Sequence, residues 1–199
     1  MTLTDHLRKI LNGMIEKVSS FIIDLGLSAN HITVIGLLGN ISAAFLLARG
    51  FLVAGGITAG FNCIFDGLDG TIAAKTSTQS KFGAFLDSTL DRLSEYVLFL
   101  GIFIYFQNQA HHIGVLLTYL AFGGSVLVSY IRAKGESLGV VIKRGMLTRV
   151  ERLIVLVLSL LIGYPIFGLL IIAVIGNLTI LQRFMIARKM LSQEEIAKS

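Results

Sequence analysis

The chain has one cysteine and one proline in 199 residues, and only 12 Asp and Glu. A lone Cys63 excludes an intramolecular disulfide and any cysteine-based metal site. Its place in an apolar run makes it a small packing residue. No Pro-rich linker or low-complexity tract divides the chain, and no internal repeat stands out. Charged residues make up 15% against 54% hydrophobic, and mean hydropathy is +0.80, too apolar for an ordinary soluble domain. The expected fold is therefore all-α, an integral membrane bundle forming a single domain over 1–199. In such a chain the net charge of +5 belongs to loops at the inner membrane face, not to a nucleic-acid surface. The opening MTLTDHLRKILNGMIEKV carries its charges too evenly for a secretory signal.

Six transmembrane helices are expected between residues 31 and 190, preceded by an interfacial amphipathic helix over 2–24. In that first helix Leu7, Ile10, Leu11, Met14, Ile15 and Val18 recur at helical spacing, with Arg8, Lys9 and Lys17 off the stripe. The spans read as 31–48, 51–75, 81–106 and 113–131. An uncharged run over 153–182 is too long for one crossing and is broken by Gly163-Tyr164-Pro165 into a fifth and a sixth. Of the 17 Lys and Arg, only Arg49 falls on the side away from the termini, and Arg92 lies within a helix. The positive-inside rule thus puts both termini at the cytoplasmic face of a multi-pass cell-membrane protein.

Within this apolar chain, four carboxylates fall in one stretch of two helices. Asp66 and Asp69 are spaced i, i+3 on one helix, and Asp87 and Asp91 are spaced i, i+4 on the next, so each pair shares a face. A short connection, Thr76 to Ser80, puts the pairs at similar depth, where facing side chains can converge on one or two ions. Unpaired carboxylates in lipid are costly. Oxygen-only donors without His or Cys select Mg²⁺ or Mn²⁺ over zinc, and such ions keep positions for phosphate oxygens. The competing structural reading pairs these acids with Lys75, Lys81 and Arg92 in a buried polar network.

The pattern D-x2-D-G-x2-A followed by G-x3-D-x3-D is Asp66, Asp69, Gly70, Ala73, Gly83, Asp87 and Asp91. It resembles the signature of the CDP-alcohol phosphotransferases, whose six-helix architecture would cover nearly the whole chain. The resemblance implies that Asp66, Asp69, Asp87 and Asp91 bind metal, and that Asp91 also serves as the catalytic base on the acceptor hydroxyl. It implies a CDP-linked lipid, CDP-diacylglycerol or CDP-archaeol, at Asn30, Thr33, Gly70, Ala73, Lys75 and Ser80. Read alone, Asn30 and Thr33 are also reasonable helix caps. The family usually has Arg directly after the motif Ala, and here that position is Ala74. Either Lys75 takes its place from about 100° round the helix, or the diphosphate is held less tightly. Relatives also suggest a homodimer in the membrane lipid.

The basic segment from Ser129 to Leu153 follows at the same face. The runs R-A-K-G-E-S-L-G and R-V-E-R resemble the branch that makes phosphatidylinositol phosphate, or its archaeal ether counterpart, from inositol 1-phosphate. On that resemblance Lys134, Arg149, Arg152 and Arg183 bind the phosphate of a phosphorylated polyol. Guanidinium forks suit phosphate oxygens, though basic residues here also suit anionic headgroups. Glycerol 3-phosphate is the competing acceptor. A membrane prenyltransferase would need more helices than this length supplies. A cation transporter would hold its acids nearer the bilayer midplane, without a bias to one face.

Overall fold

The computed structural model describes the backbone of residues 3–142 and 145–198. The side chains of 3–12, Met14, Ile64, Asp66 and 194–198 lie outside that description. The described residues form seven helices and no strand: α1 Leu3–Asp24, α2 Ala29–Ala48, α3 Leu52–Lys75, α4 Lys81–Asn108, α5 His112–Ser137, α6 Arg149–Leu161 and α7 Pro165–Lys198. Three of them are long and apolar enough to cross a membrane: α2, α5 and the Pro165–Gln193 stretch of α7. Most of the stripe expected to make α1 amphipathic falls on side chains outside the description.

Helix ends follow local chemistry. Ser28 caps α2: His31 N donates to its hydroxyl, and Ser28 N donates to His31 Nδ1 at 3.1 Å. The cap thus lies two residues before Asn30, which sits in the first turn. Thr148 and Glu151 form the matching reciprocal pair on α6, with Thr148 N donating to Glu151 Oε2 at 2.6 Å. This cap starts α6 at Arg149, four residues earlier than the apolar run, and α5 likewise continues to Ser137, past the expected 131. Gly163, at φ +76°, makes the left-handed turn after α6, and Pro165 opens α7, where a missing N–H costs nothing.

α2 is the common backing of the two acid-bearing helices. It packs along both α3 and α4, whereas α3 and α4 hardly approach each other. The contacts are close because small residues line them. Gly39 abuts Asn62 of α3, and Gly101 of α4 seats directly on the Ala44 backbone. The main core joins Ala43 and Leu47 of α2 to Leu98 and Ile102 of α4, with Leu160 of α6 and Leu169 and Ile172 of α7. A second, smaller cluster, centred on Ile22, Ile32, Leu68 and Ile72, fixes α1 against α2 and the C-terminal half of α3. α5 and α7 pair closely, and Asn177 Nδ2 donates across that interface to the Leu120 carbonyl at 3.3 Å.

A Cβ at position 101 would meet the Ala44 carbonyl, so Gly101→Ala is expected to destabilise the protein by about 1–3 kcal/mol. Gly123→Ala, where a Cβ meets nothing within 4 Å, should be neutral or slightly stabilising. Thermal unfolding in detergent distinguishes the two.

Candidate active site

Asp69 lies on the buried face of α3, only 8% exposed, and accepts a hydrogen bond from Thr33 Oγ1 of α2 at 3.1 Å. The Thr33 hydroxyl also lies 3.0 Å from the Ala29 carbonyl one turn back, so its one hydrogen is shared between that carbonyl and Asp69. On α4, Gly83 lies beside Asn30 of α2 and Gly101 beside Ala44, so the two helices run parallel. That register puts Asp87, which is half-buried, at the level of Thr33 and therefore of Asp69. Both acids are thus referenced to the same turn of α2. The convergence expected of two directly facing helices takes a different form, with α3 and α4 held apart and indexed by α2.

Asp91, one turn further along α4, has a partner from another helix. Arg149 at the start of α6 forms a close ion pair with its Oδ2, and Arg92 lies 3.7 Å from the same oxygen. Of the partners in the structural alternative, Arg92 is thus present beside Asp91. Lys75 is not: its ammonium donates to the Glu16 carbonyl at 2.9 Å and to Ser20 Oγ at 3.0 Å, both on α1.

Among the described residues no three acids close on a common point, and the side chain of Asp66 lies outside that description. The donor set still suits a hard divalent ion: carboxylate oxygens only, one of them on a buried side chain that the Thr33 hydroxyl reaches from α2. Next to Asp69, a Cβ on Gly70 would meet nothing within 4 Å, so the backbone there is open to a ligand. Ser80 caps α4 by accepting from Gly83 N at 2.9 Å, and Asn30 stands against the same turn. Asn30, Thr33, Gly70 and Ser80 therefore cluster where α2, α3 and α4 meet. Ala73 is half-buried one turn beyond Asp69.

The basic residues divide by burial. Lys134 is exposed at the end of α5. Arg152 is 2% exposed; its Nη2 donates to Glu95 Oε1 of α4 at 3.2 Å and its Nη1 to the Leu147 carbonyl at 3.4 Å. Arg183 is 5% exposed, donates to the Val128 carbonyl at 2.8 Å, and lies near enough to Arg152 to feel its charge. The loop before α6 closes on it, with Gly145 directly against its guanidinium. Nε of both Arg152 and Arg183 is buried without a hydrogen-bond partner. Sequence reading missed Glu95 as the partner of Arg152. The available signal was a third acid on the Asp87–Asp91 face of α4, one turn further into apolar sequence.

A helical bundle carrying acids on one pair of helices and buried guanidiniums beside them defines a membrane-associated enzyme that works on phosphate groups. The sequence profile of the CDP-alcohol phosphatidyltransferases matches residues 27–192, and the chain belongs to that enzyme family. It is 32% identical over 188 residues to archaetidylinositol phosphate synthase of Methanothermobacter thermautotrophicus, covering 92% of each chain. It is 31% identical over 203 residues to phosphatidylinositol phosphate synthase of Corynebacterium glutamicum, covering 98% of this chain and 93% of the other. The fold matches crystal structures of Mycobacterium tuberculosis phosphatidylinositol phosphate synthase. With CDP-DAG bound the TM-score is 0.80 at 27% identity, over 87% of this chain and 92% of the other. With manganese and citrate it is 0.81 at 26% identity, over 87% and 88%.

Lys75→Met removes two hydrogen bonds from α1. Amide exchange in the last turns of α1 should rise about fivefold, the equivalent of about 1 kcal/mol, with exchange in α5 and α7 unchanged.

Proposed function

We propose that this enzyme transfers a phosphatidyl or archaetidyl group from a CDP-linked lipid to a hydroxyl of a phosphorylated polyol, inositol 1-phosphate, releasing CMP in phospholipid biosynthesis. The observation that carries the acceptor class is the neighbouring pair of buried guanidiniums, Arg152 and Arg183, each with an unmet donor. A buried donor of this kind takes a hydrogen-bond acceptor, and a phosphate can serve several donors at once. The names of the archaeal and actinobacterial relatives agree with inositol phosphate.

In this reading Asp66, Asp69, Asp87 and Asp91 hold Mg²⁺ or Mn²⁺. When bound, the metal neutralises the diphosphate and the charge on departing CMP. Asn30, Thr33, Gly70, Ala73 and Ser80 receive the CDP moiety. Lys75 joins them only by giving up its bonds to α1. Lys134, Arg149, Arg152 and Arg183 hold the acceptor phosphate, which orients the attacking hydroxyl towards Asp91. Asp91 takes the hydroxyl proton, a new O–P bond forms at the phosphorus bearing the lipid, and the bond to CMP breaks.

The same reading makes the chain one membrane domain, with α1 at the interface and α2–α7 as six crossings, termini and site cytoplasmic, and the protein a homodimer. α6, at 13 residues, covers only about 20 Å.

Purified protein with Mn²⁺, CDP-diacylglycerol and inositol 1-phosphate should release CMP, and no CMP with any phosphorylated or plain alcohol acceptor would overturn the reading. Competition between inositol 1-phosphate and glycerol 3-phosphate decides the acceptor. Asp91→Asn should lower turnover at least about 100-fold while CDP-lipid binding persists. Unchanged turnover would remove Asp91 from the base role.

A further inference from the structure

Glu95 belongs to none of the signature positions, yet it sits between two arginines in the protein interior. Its Oε1 accepts from Arg152 at 3.2 Å, and its Oε2 lies 4.0 Å from Arg92 Nε. Arg152 is buried and Glu95 partly so, with side-chain exposures of 3% and 13%. The charges alternate in one line: Arg149, Asp91, Arg92, Glu95, Arg152. Arg92 ties that line to α5 through the Ser129 hydroxyl.

Arg152 is thus held from two sides, by Glu95 on α4 and by the Leu147 carbonyl just before α6. These bonds engage Nη1 and Nη2, and Nε remains without a partner. A cavity of about 20 Å³, room for about one water, is lined by Asn40, Ser94, Glu95, Arg149 and Arg152. Asn40 Oδ1 and Glu95 Oε2, like Arg152 Nε, are buried there without a hydrogen bond. The guanidinium plane is therefore set by carboxylate and carbonyl, and its Nε–H is met by no protein group. A flexible side chain with a fixed plane presents its donors in a single direction, which is what in-line attack by a neighbouring hydroxyl requires.

We propose that Glu95 is a positioning residue for the phosphorylated acceptor, acting through Arg152. This rests on the acceptor reading above. Glu95 aims the guanidinium, and the guanidinium places the acceptor phosphate so that its hydroxyl reaches Asp91.

The test is a double-mutant cycle of Glu95→Gln and Arg152→Lys, assayed with CDP-diacylglycerol and inositol 1-phosphate. Glu95→Gln should lower kcat at least tenfold and leave KM for the CDP-lipid within twofold. In the Arg152→Lys background the same change should move kcat less than threefold. Independent, multiplying losses overturn the proposal, as does a matching loss of CDP-lipid affinity, which marks a general structural role. Should Glu95→Gln fail to fold, Glu95→Asp keeps the charge but shortens the reach, and the same cycle is run with it. If the parent enzyme turns over no phosphorylated acceptor, the acceptor reading fails by itself. The rise in unfolding temperature with inorganic phosphate then decides for Glu95. A rise that Glu95→Gln changes in the parent but not in Arg152→Lys supports it, and a rise indifferent to Glu95 overturns it.

Discussion

A guanidinium withdrawn from water costs several kcal/mol unless a carboxylate stands beside it, and the reverse holds for the carboxylate. At an effective dielectric near 20, a pair about 4 Å apart recovers about 4 kcal/mol, so each buried charge in this bundle needs close neighbours of opposite sign. The line from Arg149 through Asp91, Arg92 and Glu95 to Arg152 meets that need. It contains one more cation than anion, and Arg183 adds another nearby. The start of α6 and the middle of α4 are held to each other by charge, where the core elsewhere relies on Leu and Ile.

The other constraint is α2, a helix without a single Asp, Glu, Lys or Arg before Arg49. Its role is spatial. One Thr hydroxyl reaches Asp69 on one side, while glycine contacts admit α4 on the other. Two acids from different helices are thus set at one height by a third element that supplies no ligand of the metal type.

Much of this was legible in the residues. The order of the helices followed from apolar runs and from Gly163 with Pro165, and the acid pairs followed from spacing. The bounds of α5 and α6 were not, because Arg132, Lys134, Arg149 and Arg152 look like loop residues in hydropathy. Local caps and a partner 57 positions away make Arg149 and Arg152 helical. No periodicity reveals a pair of that separation. Lys75 shows the same limit: its neighbourhood in sequence is the acid motif, but its hydrogen bonds lie 59 and 55 residues back on α1. The position of α2 between its neighbours was hidden as well, since its apolar residues occur all round the helix and mark no preferred side.

The seating of Gly101 on the Ala44 backbone works as an index pin between two rods. Side-chain packing tolerates sliding by rotamer change, but main chain against main chain does not. A slip of α4 by one turn would carry Asp87 about 5.4 Å from the level of Thr33, farther than any metal–oxygen bond can stretch. A contact about four turns from Asp87, made of a hydrogen atom and a carbonyl, thus calibrates the height at which α4 delivers its carboxylates.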